Sequence, residues 1–148
     1  KFSKPLIISN AFGSQAIRYE HMNLHCVCAY PTPIEQLNLS RIEMYEGNLI
    51  GLSDHTTSVL TGALAVARGA TVIEKHIRLE KTPNDNPDFE HSLVVDDFVC
   101  DLQGQWNCDG HNCFEQYVAN IREAELAMGH GRNEAMPCEK ANEGRRVK

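Results

Sequence analysis

The chain has no run of roughly 18 consecutive apolar residues, so no segment is expected to span a membrane. It has no surplus of basic charge: 20 acidic residues stand against 14 Lys and Arg, for a formal net charge of -6. No basic stripe of the kind that tracks nucleic acid is present, and a soluble acidic protein is the expectation. The opening KFSKPLIISN lacks a long apolar stretch, a small-residue cleavage site and an initiator Met. No signal peptide is therefore expected, and the missing Met fits a fragment, or a tag or trimming. Tryptophan is almost absent, with Trp106 alone. Six Cys occur, at 26, 28, 100, 108, 113 and 138, without an export signal. A disulfide framework is therefore not expected; reduced thiols and a cytosolic compartment are.

What is present is an apolar content of 42%, enough for a globular core in 148 residues. Short apolar runs alternate with helix-like stretches. Strands are predicted at 4–9 (KPLIIS), 24–30 (LHCVCAY), 49–53 (LIGLS) and 71–79 (TVIEKHIRL). Helices are predicted at 38–45, at 57–68 (TSVLTGALAVAR, stopped by Gly69) and from 96 onward to Met128. This alternation implies an α/β fold with a parallel sheet. Four strands fit either an open sheet or half of an eight-stranded barrel. Residues 101–113 (DLQGQWNCDGHNC) read as an inserted loop, residues 129–148 as a linker or tail, and residues 1–128 as the domain proper. Only nine residues, 15–23, separate the first two strands, too few for an ordinary crossover helix.

In such folds chemistry gathers at the carboxyl ends of the strands. Those ends carry Ser9, Asn10 and Ser14; Cys28, Tyr30 and Thr32; Ser53, Asp54, His55 and Thr56; and Glu74, Lys75 and His76. His55 and His76 are 21 residues apart, one helix and one strand, which places them on adjacent parallel strands near one edge. Two imidazoles so placed can share a divalent ion, or each can simply hydrogen-bond within the strand ends. Ser53 and Thr56 could hold a phosphate or carboxylate, or cap the next helix. Lys75 could neutralise an anion, but strand neighbours alternate, so if His76 points in then Lys75 points out. By the same alternation Cys26, Cys28 and Tyr30 share a face. Cys108, His111 and Cys113, with Cys100 more distant, could make a structural zinc loop or belong to an ordinary surface insertion.

Three segments then carry a family resemblance. LHCVCAYPTPIEQLNL, IGLSDHT and GATVIEKHIRLEKT resemble, in this order, the LHCxSxYPTPxExxNL, GLSDHT and GAxxIEKHFTLDK stretches of the N-acetylneuraminate (sialic acid) synthase family. KPLIISNAFGS is similar to the preceding strand of that family, NPDFEHSL to its GPDHxxSL, NIREAELAMGHG to its last barrel helix, and PCEKANEGRR to the start of its linker. The resemblance implies a partial (β/α)8 TIM barrel, about strands five to eight, followed by a C-terminal linker. It implies condensation of phosphoenolpyruvate with an N-acetylated amino sugar, such as N-acetylmannosamine, to a nonulosonic acid with release of phosphate. The cofactor implied is a divalent metal, Mn or Mg, on His55 and His76. Ser9 and Ser53 match hydroxyls that contact phosphoenolpyruvate, Cys28 stands beside that ligand, and Tyr30 and Asp88 match positions facing the sugar. The partner implied is a second copy, as a homodimer, or the missing barrel half. The chain departs from the pattern at Asn10-Ala11-Phe12, at Asn86, and at Phe89, where His is common. An inactive barrel fragment serving as a binding module is the rival expectation, and a zinc-stabilised module on the Cys108 loop a second.

Overall fold

The computed structural model describes residues 4, 6–14, 21–45, 49–95, 114–132, 134 and 136–139. Four short strands, β1 (Ile7–Asn10), β2 (Met22–Cys26), β3 (Ile50–Asp54) and β4 (Val72–Lys75), form one parallel sheet in the order β1-β2-β3-β4. Helix α1 (Thr61–Ala67) joins β3 to β4, and α2 (Phe114–Met128) packs against α1. A second, two-stranded parallel sheet joins β5 (Ile77–Arg78) to β6 (Leu93–Val94). The α/β class and the parallel sheet follow the alternation in the sequence.

Register aligns Asn10 with His25, Cys26 with Ser53 and Glu74, and Asp54 with Lys75. Alternation then divides the sheet into two faces. Leu52 lies on the covered face, in a core with Leu37, Ile42, Ala65 and Ala70, while Leu39, Ile50 and Ile73 pack at its margin. This core is built from Ala65 of α1, Leu52 of β3, Leu37 and Ile42 of the segment after β2, and Ala70 of the turn after α1. Gly51 sits on the other face, where a Cβ would lie 1.9 Å from the Val72 carbonyl oxygen and 2.8 Å from Leu24 Cδ2. No side chain fits there, so the glycine lets β3 and β4 approach.

Several boundaries differ from the sequence reading. The predicted strand 71–79 is two strands in two sheets, broken at His76. The predicted strand 24–30 ends at Cys26. Beyond it the Val27 carbonyl accepts from the Ala29 amide (2.9 Å) and the Thr32 hydroxyl (3.3 Å) instead of from a neighbouring strand. The predicted helix 38–45 is 3-10 helix over Leu39–Met44, preceded by a shorter one at Ile34–Gln36. Asn38, between them, takes a left-handed conformation (φ 51°) that a continuous α-helix cannot contain. The predicted start of the last helix at 96, the inserted loop at 101–113 and the Cys100–Cys108–His111–Cys113 cluster fall outside the described residues. No described helix is long and apolar enough to cross a membrane.

Candidate active site

His55 follows β3 directly, and its ring is fixed from both sides. Nδ1 lies 3.0 Å from the Val27 carbonyl oxygen, which can only accept, so Nδ1 carries the proton. Nε2 is left with its lone pair, 3.4 Å from Ser53 Oγ. The His55 carbonyl in turn accepts from the Thr32 amide (2.9 Å), tying the segment after β2 to the end of β3. Ser53 donates to Glu74 Oε1 at 2.6 Å, along the register that pairs the two residues.

His76 occupies the break between β4 and β5. Its carbonyl accepts from the Leu93 amide at 3.0 Å, so the β5–β6 pairing carries residues 84–92 back over the histidine. That loop is closed by Ser92, whose amide (3.1 Å) and hydroxyl (2.5 Å) both donate to the Asp88 carbonyl oxygen. Two groups are delivered in this way. Asp88 places Oδ2 3.6 Å from His76 Nδ1 and Oδ1 3.4 Å from His91 Nε2. His91 lies among the other rings, its centroid 4.6 Å from His76 and 6.0 Å from His55. The His55 and His76 centroids are 5.3 Å apart. Tyr30, half exposed, covers the cluster at 4.4 Å from His55 and 5.0 Å from His91.

The structure thus brings Tyr30, His55, His76 and Asp88 together and sets Ser53 beside them. Cys28 is linked through Tyr30, whose hydroxyl points at its Sγ (4.0 Å). Cys26 lies 4.0 Å from Cys28, and burial, with Cys28 adding to it, pushes the Cys26 thiol up to about 11. Ser9 is exposed on the same face of the sheet but on β1, paired in register with Leu24 and two strands from Ser53. Sequence reasoning missed His91 and left Glu74 out of the site. The signal for His91 was the imidazole in the Asp88–Ser92 turn, three residues from an aspartate already singled out.

His91 is buried at 1% exposure, and neither ring nitrogen has a hydrogen-bond partner. Burial lowers its pKa, as does the neighbouring His76; Asp88 opposes both. Imidazole nitrogens with available lone pairs beside a carboxylate are a donor set suited to a first-row divalent ion, and His76, Asp88 and His91 bring their donor atoms within 4.8 Å of one another.

Behind the histidines, on the covered face, lies a second polar group. The Asp54 carboxylate accepts from the Thr61 hydroxyl (2.5 Å), the Thr56 amide (2.8 Å) and the Tyr117 hydroxyl (2.8 Å). Lys75 Nζ stands 3.6 Å from Asp54 Oδ1 and donates to the Asp54 carbonyl (3.2 Å) and to the Thr56 carbonyl. Both side chains are almost fully buried. Lys75 therefore faces away from His76, as alternation requires, and braces the strand end on either side of His55. Burial lowers the Lys75 pKa and Asp54 raises it.

The NeuB family model matches residues 8–103. Pseudaminic acid synthase of Campylobacter jejuni is 33% identical over 89% of this chain and 38% of its own length. Human N-acetylneuraminate-9-phosphate synthase is 30% identical over 95% of this chain and 39% of its own. Among solved structures, the N-acetylneuraminic acid synthetase of Leptospira borgpetersenii, in complex with citrate, superposes with a TM-score of 0.62 at 29% identity, covering 86% of this chain and 42% of that one. The chain spans about two fifths of the length of these relatives. Motif order, parallel sheet and these likenesses agree: this chain belongs to the NeuB family.

Proposed function

We propose that the chain is the second half of the catalytic barrel of a nonulosonic-acid synthase, which condenses phosphoenolpyruvate with an N-acetylated amino sugar. The observation that carries the reading is the convergence of Tyr30, His55, His76 and Asp88 at the carboxyl edge of a parallel sheet. The strand order β1-β2-β3-β4 has no reversal, unlike an open doubly wound sheet with its switch point. That order is what barrel strands five to eight require, with residues 1–128 as the barrel portion and 129–148 as linker.

His55 and His76 would hold the divalent ion, and the tautomer enforced by Val27 leaves His55 Nε2 free to do so. An ion bound there supplies Lewis-acid polarisation of the sugar aldehyde. Ser53, already donating to Glu74, and Ser9 line the face on which the phosphoenolpyruvate anion would lie. Asp88, with its carboxylate 58% exposed, accepts hydrogen bonds from sugar hydroxyls. Tyr30 lies across the histidine rings and bounds the sugar side, and Cys28, 4.0 Å from its hydroxyl, would stand beside the phosphoenolpyruvate. In the overall reaction the methylene carbon of phosphoenolpyruvate bonds to the aldehyde carbon, water adds to the former enol carbon, and phosphate leaves. Nitrogen ligands favour Mn over Mg.

The test is phosphate release from phosphoenolpyruvate with Mn and a panel of N-acetylated sugars. Sugar-dependent release that vanishes in His55→Ala supports the reading; none from folded protein rejects catalysis by this chain alone. A second reading, a half-barrel that works only when paired, is favoured by the β1 end of the inner face, where Ile7 is 57% exposed and Ser9 lies exposed, although Leu24, Cys26 and Ser53 on the same face are buried. Pairing with a second copy or with the complementary half covers that face, and solution mass distinguishes a dimer from a monomer. The cytoplasm is the compartment we propose.

A further inference from the structure

The geometry points to His91 as a third imidazole ligand, so that one divalent ion is held by His55, His76 and His91 with the Asp88 carboxylate beside them. This rests on the metal reading proposed above and adds a residue to it. The family pattern leaves position 91 open, and Phe89, where the pattern commonly has His, offers no donor. Its ring lies 3.9 Å beneath the Arg78 guanidinium.

Two independent observations carry the inference. The first is the state of His91 itself. It is 1% exposed, yet both ring nitrogens are buried without a hydrogen-bond partner. A neutral imidazole carries one donor and one acceptor, and buried polar atoms are nearly always satisfied. The Asp88 oxygen 3.4 Å from Nε2 is close enough for attraction but makes no hydrogen bond.

The second is the spacing of the rings. An imidazole binds a first-row ion at about 2.1 Å, which puts its ring centre roughly 3.2 Å from the metal. Two rings on one ion, at angles between neighbouring and nearly opposite positions, then have centres roughly 4.5–6.4 Å apart. The three ring separations are 4.6 Å (His76–His91), 5.3 Å (His55–His76) and 6.0 Å (His55–His91), inside that range. The donor atoms of His76, Asp88 and His91 already lie within 4.8 Å of one another, while those of His55 stand outside that group and must move in to join it. The carboxylate fits as well. Its oxygens lie 3.6 Å from His76 Nδ1 and 3.4 Å from His91 Nε2, close to the roughly 3.4 Å expected between ligand atoms at tetrahedral angles. The loop that carries His91 is held in place by the β5–β6 pairing and by Ser92 on the Asp88 carbonyl, so the ring is delivered by backbone bonds rather than by a flexible tip.

The experiment uses the whole chain and Mn2+ alone as probe. Electron spin-echo envelope modulation on the Mn2+-loaded protein counts coordinated imidazole nitrogens, and an EPR titration of free Mn2+ measures affinity. Three coordinated imidazoles are expected in the unaltered protein. His91→Ala and the bulkier His91→Gln should each show two, with affinity weakened about tenfold or more, and circular dichroism checks that each remains folded. Two imidazoles in the unaltered protein overturns the three-imidazole site, and unchanged count and affinity in a folded His91 variant overturns the role of His91 while leaving the His55–His76 reading intact. No Mn2+ binding at all overturns both. Three imidazoles without any phosphate release support the inference and place the failure in the proposed reaction.

Discussion

Breaking the Asp54–Lys75 pair should unsettle the protein from behind the site. Asp54 is fully buried and has four partners: Thr61, Thr56, Tyr117 and Lys75. Lys75→Met leaves its carboxylate with three neutral donors and no cation. Removing one member of a buried ion pair costs about 3–5 kcal/mol, because the other charge stays buried without compensation. The three remaining hydrogen bonds hold part of that demand, so a loss near the lower end, about 3 kcal/mol, is expected. For a chain of this size that corresponds to a fall in Tm of roughly 6–12 °C. Urea denaturation followed by circular dichroism measures it directly. Asp54→Asn should cost a similar amount, since Lys75 keeps only its carbonyl acceptors. The double variant Asp54→Asn/Lys75→Met should be more stable than the sum of the single losses implies, because it strands no charge. Lys75 and Asp54 stand beside His76 and His55 in the chain, so each single variant should also weaken Mn2+ binding without touching an ion ligand. Single losses below about 1 kcal/mol, the range of surface pairs, would refute the argument that this pair is a buried, mutually dependent unit.

Gly51→Ala should destabilise by about 1–3 kcal/mol or more, because its Cβ would meet the Val72 carbonyl at 1.9 Å; a normal urea midpoint would contradict this. Burial lowers the His25 pKa from its ordinary 6.5; the hydrogen bond to the Leu37 carbonyl opposes this, and Arg41 reinforces it. Below pH 6.5 the unfolded chain therefore binds more protons at this site, so stability should fall as pH drops and the decline should be shallower in His25→Gln. Iodoacetamide at pH 8 should alkylate exposed Cys28 well before Cys26, which is buried and has its thiol pKa raised to about 11, as peptide mapping would read out.

Much of the site was legible along the chain. The 21-residue interval from His55 to His76 is one turn of the strand–helix–strand repeat, so local pattern alone sets both histidines at one edge. Alternation alone placed Lys75 on the opposite face from His76. The core of α1 and β3 was visible for the same reason, since a buried face imposes its period on the sequence.

What local pattern could not supply was anything set by contacts between distant segments. The run 71–79 reads as one strand, because nothing in its β-branched residues marks His76 as the point where the chain leaves one sheet and joins another. The stretch 38–45 has helical spacing, but Asn38 adopts a left-handed conformation as the chain tightens into 3-10 turns against β2 and β3. His91 sits in a polar, turn-rich segment that reads as exposed loop. It is buried because β6 pairs with β5, 16 positions earlier in register, and folds the intervening loop over His76. The sequence by itself determined the α/β repeat, the family and the two histidines on neighbouring strands. Only the tertiary structure decided that a third imidazole and an aspartate close over them, because that depends on pairing between strands whose partners no local period encodes.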